Sequence, residues 1–535
     1  MTQDEVDTAD TGADAGAGAG ARAGAGAGAG GGDDARARDA GTLPPAAAAW
    51  RRHGFAGVPA DLVAAGTLPR AWAAQWAAAP AAPTLAGVDG RWLTAAELDE
   101  RTATVAARYA AAGLAAGDRL LVSAAPSVDL AVAHVAALRL GLVVVPVNTA
   151  FGPTEIAPVA AAAAPRLAVL DDPGRLPGVP STGPDVALPG GPAPALDGAG
   201  PDDTGLLVFT SGTTGTPKGV PLSHANLLAS SASIEVAWRW TADDRLVLAL
   251  PLFHVHGLGV GLHGTLLAGA SAVILPRFEV DAVLDAVAAS GATLMFGVPT
   301  MWVRLAASPR LGEMAALRLC VSGSAPLDPS TFAALADGIG SPVIERYGMT
   351  ETGMLVSNPY EGERRAGSVG LPLPGVEVRL DRREGAGEPS AEILVRGPNV
   401  FGGYLGGVGA DAFTPDGWFR TGDLGRADPD GYLRIVGRSK ELIITGGFNV
   451  YPRDVEEVLG GHPGVAEVAV VGVPDAEWGE RVVACVVASE PIEAADLMAW
   501  GAERLAPYKR PREVRFVDAL PRNAMGKVVR SALVH

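Results

Sequence analysis

The chain has 535 residues, 48% of them apolar and 19% charged, a globular composition that excludes a wholly disordered or coiled-coil protein. Acidic residues outnumber basic ones 59 to 42 for a formal net charge of −17, which argues against sequence-independent nucleic-acid binding, a task that runs on Lys and Arg. Two cysteines, Cys320 and Cys485, exclude a disulfide framework and a Cys-rich zinc site.

Residues 1–42 hold a Gly/Ala run with no large apolar side chain, and residues 1–40 carry three Arg against eight Asp or Glu. Such a segment cannot offset the entropy of ordering its backbone, so a disordered acidic tail is expected; its composition also fits an over-extended gene start. From about residue 43 helix and strand patterns alternate. Residues 95–113 read as an amphipathic helix that begins after Thr94 and ends at a glycine. Then follow a strand at 119–125, a helix at 128–141 and a strand at 142–148. Further apolar strands fall at 206–210, 270–276 and 316–323. Apolar strands separated by helices predict parallel sheets covered on both faces. Over 391–436 the spacing tightens into short strands and Gly-rich turns. The last ~95 residues form a compact α+β pattern. The expected division is a tail at 1–42, a large domain at 43–438 and a small domain at 439–535. No apolar run reaches the roughly 18 residues of a membrane span, and no secretion signal stands at the N-terminus, so a cytoplasmic protein without a membrane partner is expected.

The strongest local signal is FTSGTTGTPKGV at 209–220. Thr210 ends a strand; Gly212 and Gly215 allow the backbone to turn its N–H groups inward; Ser211, Thr213 and Thr214 add hydroxyls, and Lys218 a charge. The set suits a polyphosphate, although a Gly/Thr loop by itself is equally a polar turn. It is not a Walker A loop, because Pro217 precedes the Lys and Gly219 follows it.

That loop, with RYGMTET (346–352), GWFRTGDLG (417–425), GRSKELIITGGFNVYP (437–452) and PRNAMGKVVR (521–530), resembles the adenylate-forming superfamily of acyl-CoA synthetases, adenylation domains and luciferases. The resemblance implies an α/β large domain with parallel-rich sheets, helices on their faces and a distorted β-barrel, followed by a small mobile α+β domain. It further implies a two-step reaction in which ATP and a carboxylate give an acyl-adenylate and pyrophosphate, and a thiol then takes the acyl group. ATP, Mg²⁺ and coenzyme A are the implied cofactors.

Residue chemistry agrees with those roles. Glu351 is a hard carboxylate suited to a Mg²⁺ ion bridging phosphates, with the Thr350 hydroxyl beside it; by itself it is equally a solvated loop acid. Asp423 can accept from both ribose hydroxyls, or as a turn residue merely hold its own backbone. By the resemblance Arg438 also reaches the ribose. Ser322, Gly323, Ser324 and Ala325 form a ledge against adenine, with Tyr347 stacking opposite and Glu345, Arg346, Gly348 and Met349 completing the nucleotide segment. Lys527 is the catalytic cation, stabilising charge that builds during in-line attack on the α-phosphate. Lys440 is the pivot of the small domain, and Gly446 and Gly447 line the passage for the thiol.

The acyl pocket carries the substrate information. PLFHVHGL (251–258) places His254 and His256 on a loop, and a helix starts just past Pro299. Arg304 on that helix is either a surface-seeking arginine or the bidentate partner of a second carboxylate on the substrate. These segments most resemble the malonyl-CoA synthetase branch, which accompanies polyketide metabolism. By that resemblance Arg304 holds the distal carboxylate, His254 lies near the thiol path, and Val255 and Met354 border the α-carbon, leaving room for methylmalonate. The expected partners are thus a small dicarboxylic acid, ATP and CoA, with the protein a monomer or weak homodimer. Rival readings are a ligase for an aryl or medium-chain acid, an adenylation enzyme serving a carrier protein, a luciferase-like oxygenase, and a non-catalytic protein that keeps the fold.

Overall fold

Local rules start most of the helices. Thr94 caps the helix Ala95–Ala111 through a reciprocal box, its hydroxyl accepting from the Glu97 N–H while the Glu97 carboxylate takes the Thr94 N–H, so two otherwise orphaned donors are satisfied. Ser127 caps Val128–Leu140, and Gly141 ends that helix in the left-handed region at φ 82°, where a side chain would be strained. The computed structural model describes residues 61–210, 217–382, 391–522 and 528–535. The predicted tail lies outside these.

The strands fall into four sheets. In the first the order is Ser181–Thr182, Leu167–Leu170, Arg119–Ser123, Val143–Pro146, Thr204–Thr210 and Lys218–Ser223, all parallel except the last pair. The second has nine strands, with a parallel centre running from Ile344–Met349 through Leu319–Ser322, Leu294–Gly297, Arg245–Leu248 and Ser271–Ile274 to Pro83–Ala86, and antiparallel strands at both ends. The parallel strands are buried along nearly their whole length, as a sheet covered by helices on both faces demands. The short strands expected after residue 390 form a four-stranded antiparallel sheet, Glu377–Asp381, Ala391–Arg396, Phe419–Ala427 and Leu433–Arg438, linked to the nine-stranded sheet by a bridge between Gly370 and Leu433. This sheet stands where a barrel was expected. The fourth sheet, Ile443–Thr445, Phe448–Val450, Val465–Asp475, Gly479–Ala488 and Glu513–Phe516, is separate and small, with its own core around Val470, Val482 and Leu497. The fold is thus mixed α/β with a small C-terminal domain.

Among the described residues no helix is long and apolar enough to cross a membrane. Both cysteines are free and buried.

Candidate active site

In a parallel α/β sheet the ligand crevice lies beyond the carboxyl ends of the strands, and Thr210, Gly323 and Met349 stand at or just past such ends. Thr210 and Lys218, which flank the centre of the phosphate-loop motif, are register partners of an antiparallel pair. Ser211, Gly212, Thr213, Thr214 and Gly215 lie outside the described residues. The Lys218 ammonium stands 5.3 Å from the ring centre of Tyr404, and the Tyr404 hydroxyl donates to Glu351 Oε1 at 2.9 Å. One tyrosine thereby ties the base of the phosphate loop to the metal candidate.

Glu351 is 7% exposed, and this burial raises its pKa, opposed by the Tyr404 bond. A carboxylate has about four acceptor positions and Tyr404 uses one. No cluster of three or more His, Cys, Asp or Glu able to hold a metal occurs among the described residues. A single buried carboxylate fits Mg²⁺, which keeps waters and takes most of its remaining ligands from substrate phosphates. Thr350 is half-buried beside it.

The ledge follows the strand Leu319–Ser322. Gly323 is buried while Ser324 and Ala325 are exposed. Ser324 holds φ 72°, a left-handed conformation that costs a residue with a side chain on the order of 1 kcal/mol. A Cβ at Gly323 would lie 2.3 Å from the guanidinium carbon of Arg346, so any larger residue there would have to displace that buried side chain. The Tyr347 hydroxyl donates to Asp423 Oδ2 at 2.5 Å, and Arg438 Nε reaches Asp423 Oδ1 at 2.9 Å. Asp423 is 3% exposed and pairs in register with Arg438. It is therefore a strand residue with two partners, and the turn reading is corrected. The Asp423 charge raises the Arg438 pKa.

One further assignment is corrected. Both Glu345 oxygens already accept backbone N–H groups, from Gly367 at 2.8 Å and Leu327 at 3.3 Å; this carboxylate pins two loops and is not offered to a nucleotide. Arg304 is exposed, not buried, and its guanidinium stacks 4.9 Å from the Phe278 ring centre. It makes no ion pair among the described residues. Its helix, Pro299–Ala306, starts at Pro299 itself. That helix leaves the sheet beside the ledge, because Gly297 is the register partner of Ser322.

Of the remaining acyl-pocket candidates, Val255 and Met354 are buried. The Met354 N–H donates to the Ser230 hydroxyl at 3.1 Å. His254 Nδ1 accepts the His256 N–H at 3.2 Å, and burial, with the Arg346 charge second, lowers the His254 pKa to about 4. His256 does not lie on the loop; it opens a π-helical stretch, His256–His263. A Cβ at Gly348 would lie 2.3 Å from the Gly353 carbonyl, so that position needs glycine. The Met349 sulfur lies 4.0 Å from the Tyr347 hydroxyl.

In the small domain, Lys440 occupies a single turn, Ser439–Glu441, directly after Arg438. Gly446 and Gly447, at φ 55° and 80°, form the turn between Ile443–Thr445 and Phe448–Val450. A Cβ at Gly446 would press 2.8 Å from the Trp478 ring. Lys527 lies outside the described residues; Arg522 and Val528, which flank its segment, pair as an isolated bridge.

Sequence reasoning missed Tyr404. Its only signal is an aromatic side chain within the Gly-rich segment FGGYLGG.

Residues 70–405 match the AMP-binding enzyme family, and residues 454–527 match the AMP-binding enzyme C-terminal domain. The chain is 39% identical to a sulfoacetate–CoA ligase of Cupriavidus necator, covering 86% of this chain and 96% of the relative. It is 38% identical to a feruloyl-CoA synthase of an Amycolatopsis species, covering 82% and 93%. Among solved structures, ATP-bound MatB from Rhodopseudomonas palustris is similar at a TM-score of 0.82 with 40% identity, covering 88% and 98%. A malonyl-CoA ligase with methylmalonyl-CoA and AMP bound is similar at 0.61 with 44% identity, covering 83% and 97%. With these matches over its length, the chain belongs to the adenylate-forming AMP-binding enzyme family and is an AMP-forming acid–thiol ligase that works with ATP, Mg²⁺ and coenzyme A.

Proposed function

We propose that the acid is malonate, with methylmalonate as a second substrate, so that the enzyme supplies malonyl-CoA and methylmalonyl-CoA as polyketide precursors. The observation that carries this reading is Arg304. Its guanidinium is steadied by Phe278, has no carboxylate partner among the described residues, and rides on the helix that begins beside the ledge. A ligase for apolar acids has no use for such a cation; a second carboxylate does.

In this reading Lys218, Thr210 and the loop they flank hold the phosphates, and Glu351 with Thr350 binds the Mg²⁺ that neutralises phosphate charge. Asp423 and Arg438 take the ribose, while the ledge and Tyr347 enclose adenine. Lys527 stabilises the charge that develops as the carboxylate attacks the α-phosphate. The small domain then turns about Lys440 and brings Gly446 and Gly447 to the adenylate, where their missing side chains admit the thiol. His254 stands on the thiol's path, and Val255 and Met354 border the α-carbon.

A pyrophosphate-release panel tests the substrate. Malonate and methylmalonate should exceed butyrate and ferulate in kcat/KM, and CoA should be required for thioester product. A preference for ferulate would replace this reading with an aryl-acid ligase; product on a carrier protein without CoA would replace it with an adenylation enzyme.

A further inference from the structure

Side chains alternate along the strand Ile344–Met349. Glu345 turns to the backbone of Leu327 and Gly367, and Tyr347 turns to Asp423. Arg346 takes the opposite face, where its charge acts on His254 and His256 of the acyl-pocket segment. Arg346 therefore faces away from Tyr347 and Asp423 and toward the acyl-pocket candidates, which corrects its assignment to the nucleotide.

Its condition there is unusual. Arg346 is 4% exposed, and its Nε and Nη2 are sealed from solvent without a hydrogen-bond partner among the described residues. Among the described residues no acidic side chain pairs with it. The guanidinium lies against the Gly323 backbone, where any Cβ would collide with it. The next residue, Ser324, reaches His256 Nδ1 at 3.3 Å, and His256 Nε2 is likewise buried without a partner. Burial and the nearby guanidinium hold both His254 and His256 neutral. A desolvated, unpaired cation beside an unpaired ring nitrogen is a costly arrangement for a resting protein, and such costs concentrate where a ligand removes them.

We infer that Arg346 is the buried anion anchor of the acyl pocket: it takes the second anionic group, carboxylate or sulfonate, of a short acid, and its bulk against Gly323 closes the pocket to long and aromatic chains. The inference rests on the acid reading above and deepens it. Arg304 is exposed and meets an anion from the solvent side; Arg346 supplies the desolvated contact, with His256 Nε2 as a second donor.

The test uses the full chain and its Arg346→Met and Arg346→Lys variants. Pyrophosphate release is measured with malonate, sulfoacetate and butyrate, and the substrate-free Tm is recorded. In Arg346→Met the malonate-to-butyrate ratio of kcat/KM should fall on the order of 10²-fold, because a site built around a polar contact discriminates that strongly. Arg346→Lys should recover part of it, since an ammonium cannot reproduce the fork. Removing an unpaired buried cation should also raise the Tm, whereas a merely structural arginine would lower the Tm and leave the ratio alone. The ratio cancels any damage common to all acids, and Arg346→Gln decides in the same way if the Met variant does not fold. A parallel loss with sulfoacetate assigns both anions to the site, and a loss confined to malonate assigns the carboxylate. A variant ratio within about threefold of wild type overturns the inference while leaving a malonate-preferring wild type, and so the acid reading, intact. A wild type that prefers butyrate overturns the acid reading, and the anchor falls with it.

Discussion

At the scale of single residues, Tyr404 joins two groups that lie far apart in sequence, Lys218 beneath its ring and Glu351 at its hydroxyl. The Tyr404 bond is one of the few influences holding the Glu351 pKa down against burial. Tyr404→Phe should therefore cost about 1 kcal/mol, roughly a fivefold fall in kcat/KM for MgATP. It should also move the acid limb of the pH–rate profile to higher pH. A profile that stays put would show that Glu351 does not govern that limb. Lys527→Ala should lower acyl-adenylate formation on the order of 10³-fold while nearly sparing thioester formation from pre-made adenylate; equal losses in both steps would contradict the two-arrangement scheme. Because Arg304 is exposed, its pairing with a carboxylate is worth about 1 kcal/mol. Arg304→Met should then reduce malonate kcat/KM by roughly fivefold, and no change would mark it as an ordinary helix arginine. The chemical identity of Asp423, Arg438 and Glu351 was legible from their motifs. Their partners were not, because Tyr404 and Glu351 are 53 residues apart and nothing local couples them. Nor does sequence say which face of its strand Arg346 takes.

Elements were read more easily than contacts. The helix Ala95–Ala111 begins at its capping box and Val128–Leu140 ends at its glycine, since both signals are local and carry their own hydrogen bonds. The π-helical stretch His256–His263 was not legible, because HGLGVGLH has no period that separates it from a loop. This stretch carries His263, whose Nε2 lies 2.8 Å from His134 Nε2, the two rings stacked. Both are buried, and burial lowers the His134 pKa to about 3 and that of His263 well below the ordinary value. The folded state thus refuses protons that the unfolded chain takes up below about pH 6.5. Stability contributed by the neutral pair is complete above that pH and is lost as pH falls toward 3. Between pH 7 and 5 each such histidine should cost about 2 kcal/mol. Urea unfolding should show this decline, and His134→Gln, which keeps a polar partner for His263, should flatten it. An unchanged slope would place the acid sensitivity elsewhere.

For the whole molecule, the division into a large α/β body and a small C-terminal domain followed from spacing alone. The strand orders did not, since neighbours such as Arg245–Leu248 and Leu294–Gly297 are separated in sequence by several helical segments and another strand. Where the small domain meets the body, Asp454 accepts from Arg426 at 2.9 Å and from Lys509 at 2.7 Å, and Arg453 donates to the Ile435 carbonyl at 2.5 Å. The overall likeness is greater to the ATP-bound relative than to the product complex, so loosening this contact should slow adenylation relative to thioester formation. Asp454→Asn should do so by about two- to fivefold, and added salt should mimic it in the wild type but not in the variant. Equal slowing of both steps would rule the contact out as a selector. The composition of that contact has a kinetic consequence. Lys509 belongs to the same small domain as Asp454, so in the turn proposed above the carboxylate would part only from Arg426 and would keep its other cation in transit. Arg426, which is partly exposed, would exchange its carboxylate for water, so the barrier to release should be low, and turnover should be set by the chemistry or by product departure, not by unlatching the domain.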